Sequence, residues 1–499
     1  MDATLLALDA GTTGVSAVLF DADLRPLHRA YREFAQRFPR PGWVEHEAGA
    51  ILGAVDAVLA EALAHPRARA VAALGLTNQR ETVFALERAS GRALGPGIVW
   101  QDRRTEARCA ELRAAGRGPE LRRRTGLVLD PYFSATKIEW MLAHDPALAR
   151  RARAGEVLFA TVDTLLLAHL TGGATWATEP TNAARTLLFD LDARRFDPEL
   201  CALFGVEPAW LAEVRPSSGD FGATLPERTA GRALPIRGVA GDQQAALFGQ
   251  GCFEAGTLKA TYGTGSFLVL NTGAERRDSQ RGLLTTLAVG RAGQVVYALE
   301  GSVFVCGALV QWLRDQLGLI ARSAEIEPLA RSVPDAGGVF VVPAFTGLGA
   351  PYWDADARGA ILGLTRGSSR GHLARAALEA LAFQNAEVIE LLRAESGLAV
   401  ETCLADGGAA ENELLMQLQA DLAGVRVRRP ADLAATARGA AALAGLGIGL
   451  WSDPATPAAL RDDVREFRPE LAPDERAQRL ARWRVAVARV RTRSGEPEA

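Results

Sequence analysis

Two stretches of this chain, about 250 residues apart, follow the same pattern: an apolar strand-like run, a loop of glycine and threonine, and a second apolar run. In the first, residues 5–9 and 15–20 flank Ala10-Gly11-Thr12-Thr13-Gly14; in the second, residues 256–261 and 267–271 flank Tyr262-Gly263-Thr264-Gly265-Ser266. Each reads as a hairpin. Glycine lets such a loop bring its main chain close to an anion, and threonine adds a hydroxyl donor. Taken singly, either loop is equally well a plain turn. Met twice, the pattern predicts two related lobes, residues 1–250 and 251–499, each opening on a phosphate-sized loop, with the ligand in the cleft between them.

At 499 residues the chain exceeds what one hydrophobic core usually serves, which agrees with two domains. In the first half, strand-like runs at 71–76 and 98–100 alternate with a helical stretch at 50–64, predicting an α/β domain with helices on both faces of its sheet. Further helices are expected at 303–317, 371–392 and 413–423, and the charged, proline-rich tail from Ser452 is expected to fray after a last helix. Lys plus Arg number 56 against 59 Asp plus Glu, so no global field favours nucleic acid or an anionic membrane. The richest apolar stretch, 439–450, is too short to span a bilayer, and the start of the chain has no export signal, so the expected location is cytoplasmic. Five scattered cysteines without a CxxC pair suggest neither a zinc site nor a disulfide framework.

Candidate chemistry gathers at strand ends. Asp9 closes the first strand just before the loop, where a carboxylate is placed to hold Mg2+ through water beside phosphates. Asp242 stands between Gly241 and two amides, Gln243 and Gln244, after a short strand; it suits a base taking the proton of an attacking hydroxyl, or equally a helix cap. Thr77-Asn78-Gln79-Arg80-Glu81-Thr82 is a dense set of donors and acceptors suited to a polyol, with Trp100 and Tyr132 as ring faces, although a surface ion pair reads the same way. Ala405-Asp406-Gly407-Gly408-Ala409 offers a third turn, suited to a nucleotide's base and ribose or to a simple strand-to-helix connection. There is no GxxxxGK[ST] loop and no HRD element, and Asp220-Phe221-Gly222 stands without one, so nucleotide binding here is of another kind.

With these residues in place, the chain closely resembles the FGGY family of sugar and polyol kinases along nearly its whole length. The matching segments include Leu6-Ala7-Leu8-Asp9-Ala10-Gly11-Thr12-Thr13, Pro41-Gly42-Trp43-Val44-Glu45-His46, Asn78-Gln79-Arg80-Glu81-Thr82, Gly241-Asp242-Gln243-Gln244 and Tyr262-Gly263-Thr264-Gly265. The family's two signature patterns fall at 132–144, with Lys137 and Trp140, and at 359–379, with Gly363 and His372. The resemblance implies a two-lobed, actin-like (ribonuclease H-like) ATPase fold. It also implies ATP-dependent phosphorylation of glycerol, with erythritol, dihydroxyacetone or xylulose as alternative substrates.

Carried over by position, Arg80, Glu81, Tyr132, Asp242 and Gln243 would bind the polyol, Trp100 and Phe267 would wall it, and Asp242 would be the base. Thr12, Thr13, Gly14, Thr264, Gly307, Gln311, Gly408 and Asn412 would meet ATP, with Asp9 beside Mg2+. A homodimer or homotetramer is implied as well. The sequence departs from the family in three places. Ser16 stands where many members carry a phosphate-reaching arginine. Gly231-Arg232-Ala233-Leu234-Pro235 has Ala where bacterial members bind fructose bisphosphate with arginine. Glu411-Asn412-Glu413 adds two acids near the expected adenosine region.

Overall fold

In the strand Thr4–Ala10, successive side chains point to opposite faces of a sheet, and both faces are buried. Leu6, Leu8 and Ala10 join Ile51, Val55 and Val58 of the helix Ala48–Leu63 in one core. Leu5 and Ala7 join Ala440, Ala441 and Ala444 of the helix Ala435–Gly447 in another. The sheet therefore has a helix on each face, as the alternation of elements predicts. The structure, a computed structural model, describes residues 3–451 and 464–492.

The first sheet runs in the order Ile236–Gly241, Val71–Asn78, Thr4–Ala10, Gly14–Phe20, Pro26–Glu33. Thr4–Ala10 is antiparallel to Gly14–Phe20 and parallel to Val71–Asn78, which is parallel to Ile236–Gly241. The second sheet is built on the same plan. Leu258–Tyr262 is antiparallel to Ser266–Gly273 and parallel to Thr402–Asp406, which is parallel to Arg426–Pro430. In both, the first strand of a hairpin is central and two later parallel strands extend the sheet on its other side. The repeated strand-loop-strand pattern thus marks a repeated topology, that of the actin-like fold.

By packing, the described chain forms two compact units: residues 3–253, 286–297 and 435–451 in one, and 254–285, 298–434 and 464–492 in the other. A single cut near residue 250 therefore does not separate them. The reason lies in the Gly/Ala-rich stretch 439–450, which belongs with the first unit. A Cβ on Gly75 would stand 2.0 Å from the Ala440 carbonyl oxygen, one on Gly249 2.0 Å from that of Ala435, and one on Gly439 1.8 Å from that of Ala245. Only backbone fits at these points, so the helix Ala435–Gly447 lies flush on the first sheet and on the helix Asp242–Gly249.

Two predicted elements shift. The helix expected at 303–317 is Gly307–Asp315, because Val303 ends the strand Val295–Val303. The strand expected at 98–100 is only Gly97–Ile98. The last helix is Pro473–Ala488; the predicted fraying at the end of the tail falls on residues 493–499, outside the described residues. Among the described residues no helix is long and apolar enough to cross a membrane, and the five cysteines are buried with no disulfide.

Gly439→Ala is expected to lower stability by about 1–3 kcal/mol through forced separation of the two helices. Gly53→Ala, on the helix Ala48–Leu63 where an added Cβ meets nothing within 4 Å, should raise it by about 0.5–1 kcal/mol. Urea unfolding of the two variants reads both signs.

Candidate active site

The first loop is tight: the Gly11 amide donates to the Gly14 carbonyl at 3.0 Å. Backbone amides of Gln79 and Phe34 hold Ala10 O and Thr13 O at 2.9 and 3.2 Å, and side chains from outside the loop hold the other two carbonyls. Gln79 Nε2 donates to Gly11 O at 3.0 Å and Gln36 Nε2 to Thr12 O at 2.9 Å. This engages two oxygens that would otherwise repel a phosphate. His46 is fully buried, with one ring nitrogen 3.3 Å from each amide. Burial lowers its pKa to about 4, so the ring is neutral at physiological pH. Thr12 Oγ1 accepts from the Trp100 indole at 2.9 Å, Thr13 is exposed, and Gly14 leaves room for the Tyr31 ring, whose hydroxyl would stand 2.5 Å from a Cβ.

The strand Val71–Asn78 delivers Arg80 and Glu81, each only 2% exposed, so the surface ion-pair alternative does not hold. Arg80 Nε lies 3.7 Å from Glu81 Oε1 and 3.4 Å from Asp242 Oδ1, and its Nη1 donates to Gln244 Oε1 at 3.2 Å. On the far side of Glu81 stands Arg185, whose Nε donates to Glu81 Oε1 at 2.7 Å. The Arg185 guanidinium lies 5.5 and 5.4 Å from the ring centres of Tyr132 and Phe133. Asp242, Arg80, Glu81 and Arg185 thus form a row of alternating charge. Trp100 meets Tyr132 edge-on at 5.5 Å, and the buried Lys137 ammonium donates to Tyr132 O at 2.7 Å.

Asp242 is the first residue of its helix, and Gly241 holds the cap position. The cap alternative for Asp242 is thereby replaced by a carboxylate that accepts the Gln243 amide at 2.7 Å and is 27% exposed beside a buried guanidinium. Gly241 is required for this approach, because a Cβ there would stand 2.8 Å from the Arg80 side chain. Burial first, then the charge of Asp242, raise the Asp9 carboxyl to about 7, with Arg29 opposing. Two carboxylates that repel in this way suit a hard cation with oxygen ligands.

Ser16 pairs with Asp9 in register, and Arg29, on the next strand, is the cation whose field reaches Asp9. In the 231–235 segment, Arg232 is committed to backbone, donating to Ala68 O and Val71 O at 2.7 and 2.8 Å.

In the second unit a cavity of about 460 Å³ is lined by Thr264, Gly307, Gln311, Gly408 and Asn412, together with apolar Ile326, Leu378 and Leu381. All five nucleotide residues expected from this half of the chain meet there. The second loop's carbonyls are again engaged, this time by a helix start: Gly307 N donates to Gly263 O at 2.9 Å and Cys306 N to Thr264 O at 2.8 Å. Gly407, at φ 87°, passes so close to Tyr262 that a Cβ would lie 2.6 Å from its carbonyl oxygen. Asn412 Oδ1 caps the helix Glu413–Ala423 through Leu415 N at 2.8 Å. Of the two acids beside it, Glu413 pairs with Arg465 and Glu411 lines the cavity. Phe267 is half-buried on the strand Ser266–Gly273 and does not line the cavity.

Residue reading missed Arg185, Gln36 and the role of His46. The only local signal for Arg185 is the run Glu179-Pro180-Thr181-Asn182-Ala183-Ala184-Arg185, polar yet without the spacing of an exposed helix.

The unfolded chain protonates His46 near 6.5 and the folded protein only near 4, so His46 withdraws stability as pH falls through that window. His46→Gln removes this titration. The variant should be less stable than the parent at pH 7, having lost the edge contact with Phe34 at 5.0 Å, and the difference in melting temperature should narrow by pH 4.5. A constant difference would show that the ring titrates alike in both states.

Comparison with known proteins matches this geometry to one family. Residues 4–249 match the N-terminal domain and residues 258–448 the C-terminal domain of the FGGY family of carbohydrate kinases. A glycerol kinase of Aromatoleum aromaticum is 52% identical over 489 residues, covering 98% of both chains, and one of Thermus brockianus is 54% identical over 492 residues, again 98% of both. Among solved structures, Plasmodium falciparum glycerol kinase with ADP superposes with a TM-score of 0.90 at 32% identity, over 98% of this chain and 99% of that one. A xylulose kinase of Brucella ovis superposes with a TM-score of 0.84 at 26% identity, over 97% and 99%. The two sheets of one plan, the two anchored loops and these full-length matches together establish that the chain belongs to the FGGY family of carbohydrate kinases.

Proposed function

We propose that this enzyme transfers the γ-phosphoryl group of ATP to a terminal hydroxyl of glycerol, giving sn-glycerol 3-phosphate. The observation that carries this reading is the buried row Asp242, Arg80, Glu81 and Arg185 beside an aromatic wall, in a chain about half identical to glycerol kinases over its full length. A polyol hydroxyl both donates and accepts, and the row offers fixed partners of each kind. Arg80 and Glu81 orient two hydroxyls, Gln243 adds an amide, and Trp100, Tyr132 and Phe267 cover the carbon skeleton. Asp242 accepts the proton of the attacking hydroxyl.

In this reading residues 1–250 supply the polyol half and the first phosphate loop, and residues 251–499 the nucleotide half. Thr12, Thr13 and Gly14 meet phosphate from the first loop. Thr264, Gly307, Gln311, Gly408 and Asn412 hold ATP from the cavity they line. Asp9 fits Mg2+ through water, and the ion would neutralise charge on the transferring phosphoryl group. Phosphoryl transfer asks mainly for positioning and charge neutralisation, which the pre-anchored loops and row provide. Use of ATP is consistent with a cytoplasmic enzyme.

Asp242→Asn should fold normally and lose about 10²-fold or more in kcat, with a smaller effect on the KM for ATP. Near-normal turnover by the folded variant would remove Asp242 from the role. A coupled assay of ADP release with glycerol, dihydroxyacetone, erythritol and xylulose should rank glycerol first in kcat/KM, and a higher value for another of these would reassign the substrate.

A further inference from the structure

The strands Val71–Asn78 and Ile236–Gly241 deliver Arg80 and Asp242, and the last residue of each is held by one buried cluster outside the site. Its centre is Glu179, fully buried, whose two carboxylate oxygens accept five hydrogen bonds. Thr181 N donates to Oε2 at 2.9 Å and Thr181 Oγ1 to Oε1 at 2.6 Å. Asn182 N and Nδ2 donate to Oε1 at 2.7 and 3.1 Å, and Ser217 Oγ to Oε2 at 2.6 Å. From this centre two links reach the strand ends. Thr181 Oγ1 accepts the Gly241 amide at 2.9 Å, and Asn182 Oδ1 accepts from Asn78 Nδ2 at 3.0 Å.

Glu179 also caps the four-residue helix Pro180–Ala183, and that role accounts for the amides of Thr181 and Asn182. It does not account for the two hydroxyls or for complete burial. Once ionised, as at pH 8, the Glu179 carboxylate only accepts, so the Thr181 hydroxyl proton is committed to Glu179 and its oxygen is left to receive the Gly241 amide. The direction of both bonds is therefore fixed. Burial pushes the Glu179 carboxyl up to about 7 against the pull of the Ser217 and Thr181 donors.

We propose that Thr181, oriented by Glu179, is a positioning residue for phosphoryl transfer: its hydroxyl holds the Gly241 amide and so sets the Asp242 carboxylate against Arg80. The proposal rests on the reading of Asp242 as the base. The hydroxyl is the group that makes the link, since Thr181 Oγ1 accepts the Gly241 amide at 2.9 Å. Small displacements of a reacting group are costly, on the order of 10–10²-fold in rate.

The test compares Thr181→Val, which keeps shape and loses the hydroxyl, with Thr181→Ser, which keeps the hydroxyl, at pH 8 in glycerol-dependent ADP release. Thr181→Val should lower kcat about ten-fold with an unchanged KM for ATP, and Thr181→Ser should restore kcat to within about two-fold of the parent. Hydrogen exchange at the Gly241 amide, followed by mass spectrometry, should be protected in the parent and the Ser variant and accelerated in Val. This second measurement separates the two readings. If the parent does not release ADP with glycerol, the functional reading fails while exchange still tests the strut. A folded Val variant with parental kcat and parental exchange overturns the strut alone. Should Thr181→Val not fold, Thr181→Cys, whose thiol is a weak donor, takes its place, and a Cys variant matching Ser in kcat and exchange overturns the proposal.

Discussion

A guanidinium withdrawn from water has to recover several kcal/mol of lost hydration, and Arg80, only 2% exposed, recovers it from Glu81, Asp242 and Gln244. Much of the first unit's site follows from that requirement. Gly241 has no side chain because Arg80 runs across it, Gln244 turns inward to meet Nη1, and Glu81 is balanced in turn by Arg185. Removing the buried Glu81 would leave two buried guanidinium groups short of a counter-charge, which costs about 3–5 kcal/mol. The Asp242 carboxylate is therefore held by the same bonds that make the buried arginine tolerable, and stability shares residues with the proposed chemistry.

The two Gly/Thr loops answer one electrostatic problem by different means. A tight loop that offers amides to a phosphate also carries carbonyls, whose oxygens repel it. In the first loop these are engaged by the side chains of Gln36 and Gln79, ordered around a neutral His46. In the second they are engaged by backbone amides at the start of the helix Gly307–Asp315. Loop and topology recur in the two units while the anchoring does not, as expected where the fold sets the position of a loop and local packing sets its rigidity.

What could be read from sequence follows the range of the interactions concerned. The hairpins, the helices Ala48–Leu63 and Glu413–Ala423 and the strand-end position of Asp242 depend on neighbours in sequence, and pattern reveals them. Arg80-Glu81 is visible as polar, yet its burial is not, because adjacent opposite charges look the same on a surface. Arg185 meets Glu81 across 104 residues, a relation that no local spacing encodes. The stretch 439–450 looks merely apolar, although its glycines and alanines matter for the backbone they expose. Its place in the first unit depends on Gly75 and Gly249, far away in sequence. A family resemblance supplied Gly307, Gln311 and Asn412 of the second-unit cavity, which have no motif of their own, whereas Thr264 and Gly408 fall in glycine loops that pattern reveals.

The polar row of the first unit and the cavity of the second are built by opposite strategies. In the first unit Arg80, Glu81, Arg185, Gln79 and Thr12 are each hydrogen-bonded or ion-paired within the protein. The ordering cost is met during folding, so a small neutral molecule with few atoms to contribute needs to supply little of it. The second-unit cavity, with Ile326, Leu378 and Leu381 beside Gln311 and Asn412, offers apolar area with a few polar groups. A large ligand with a planar base and a polyanionic tail can be held by area at one end and by an anchored loop at the other. Under the proposed assignment, rigidity is concentrated where the substrate is small and the chemistry takes place, and surface area where the ligand is large enough to use it.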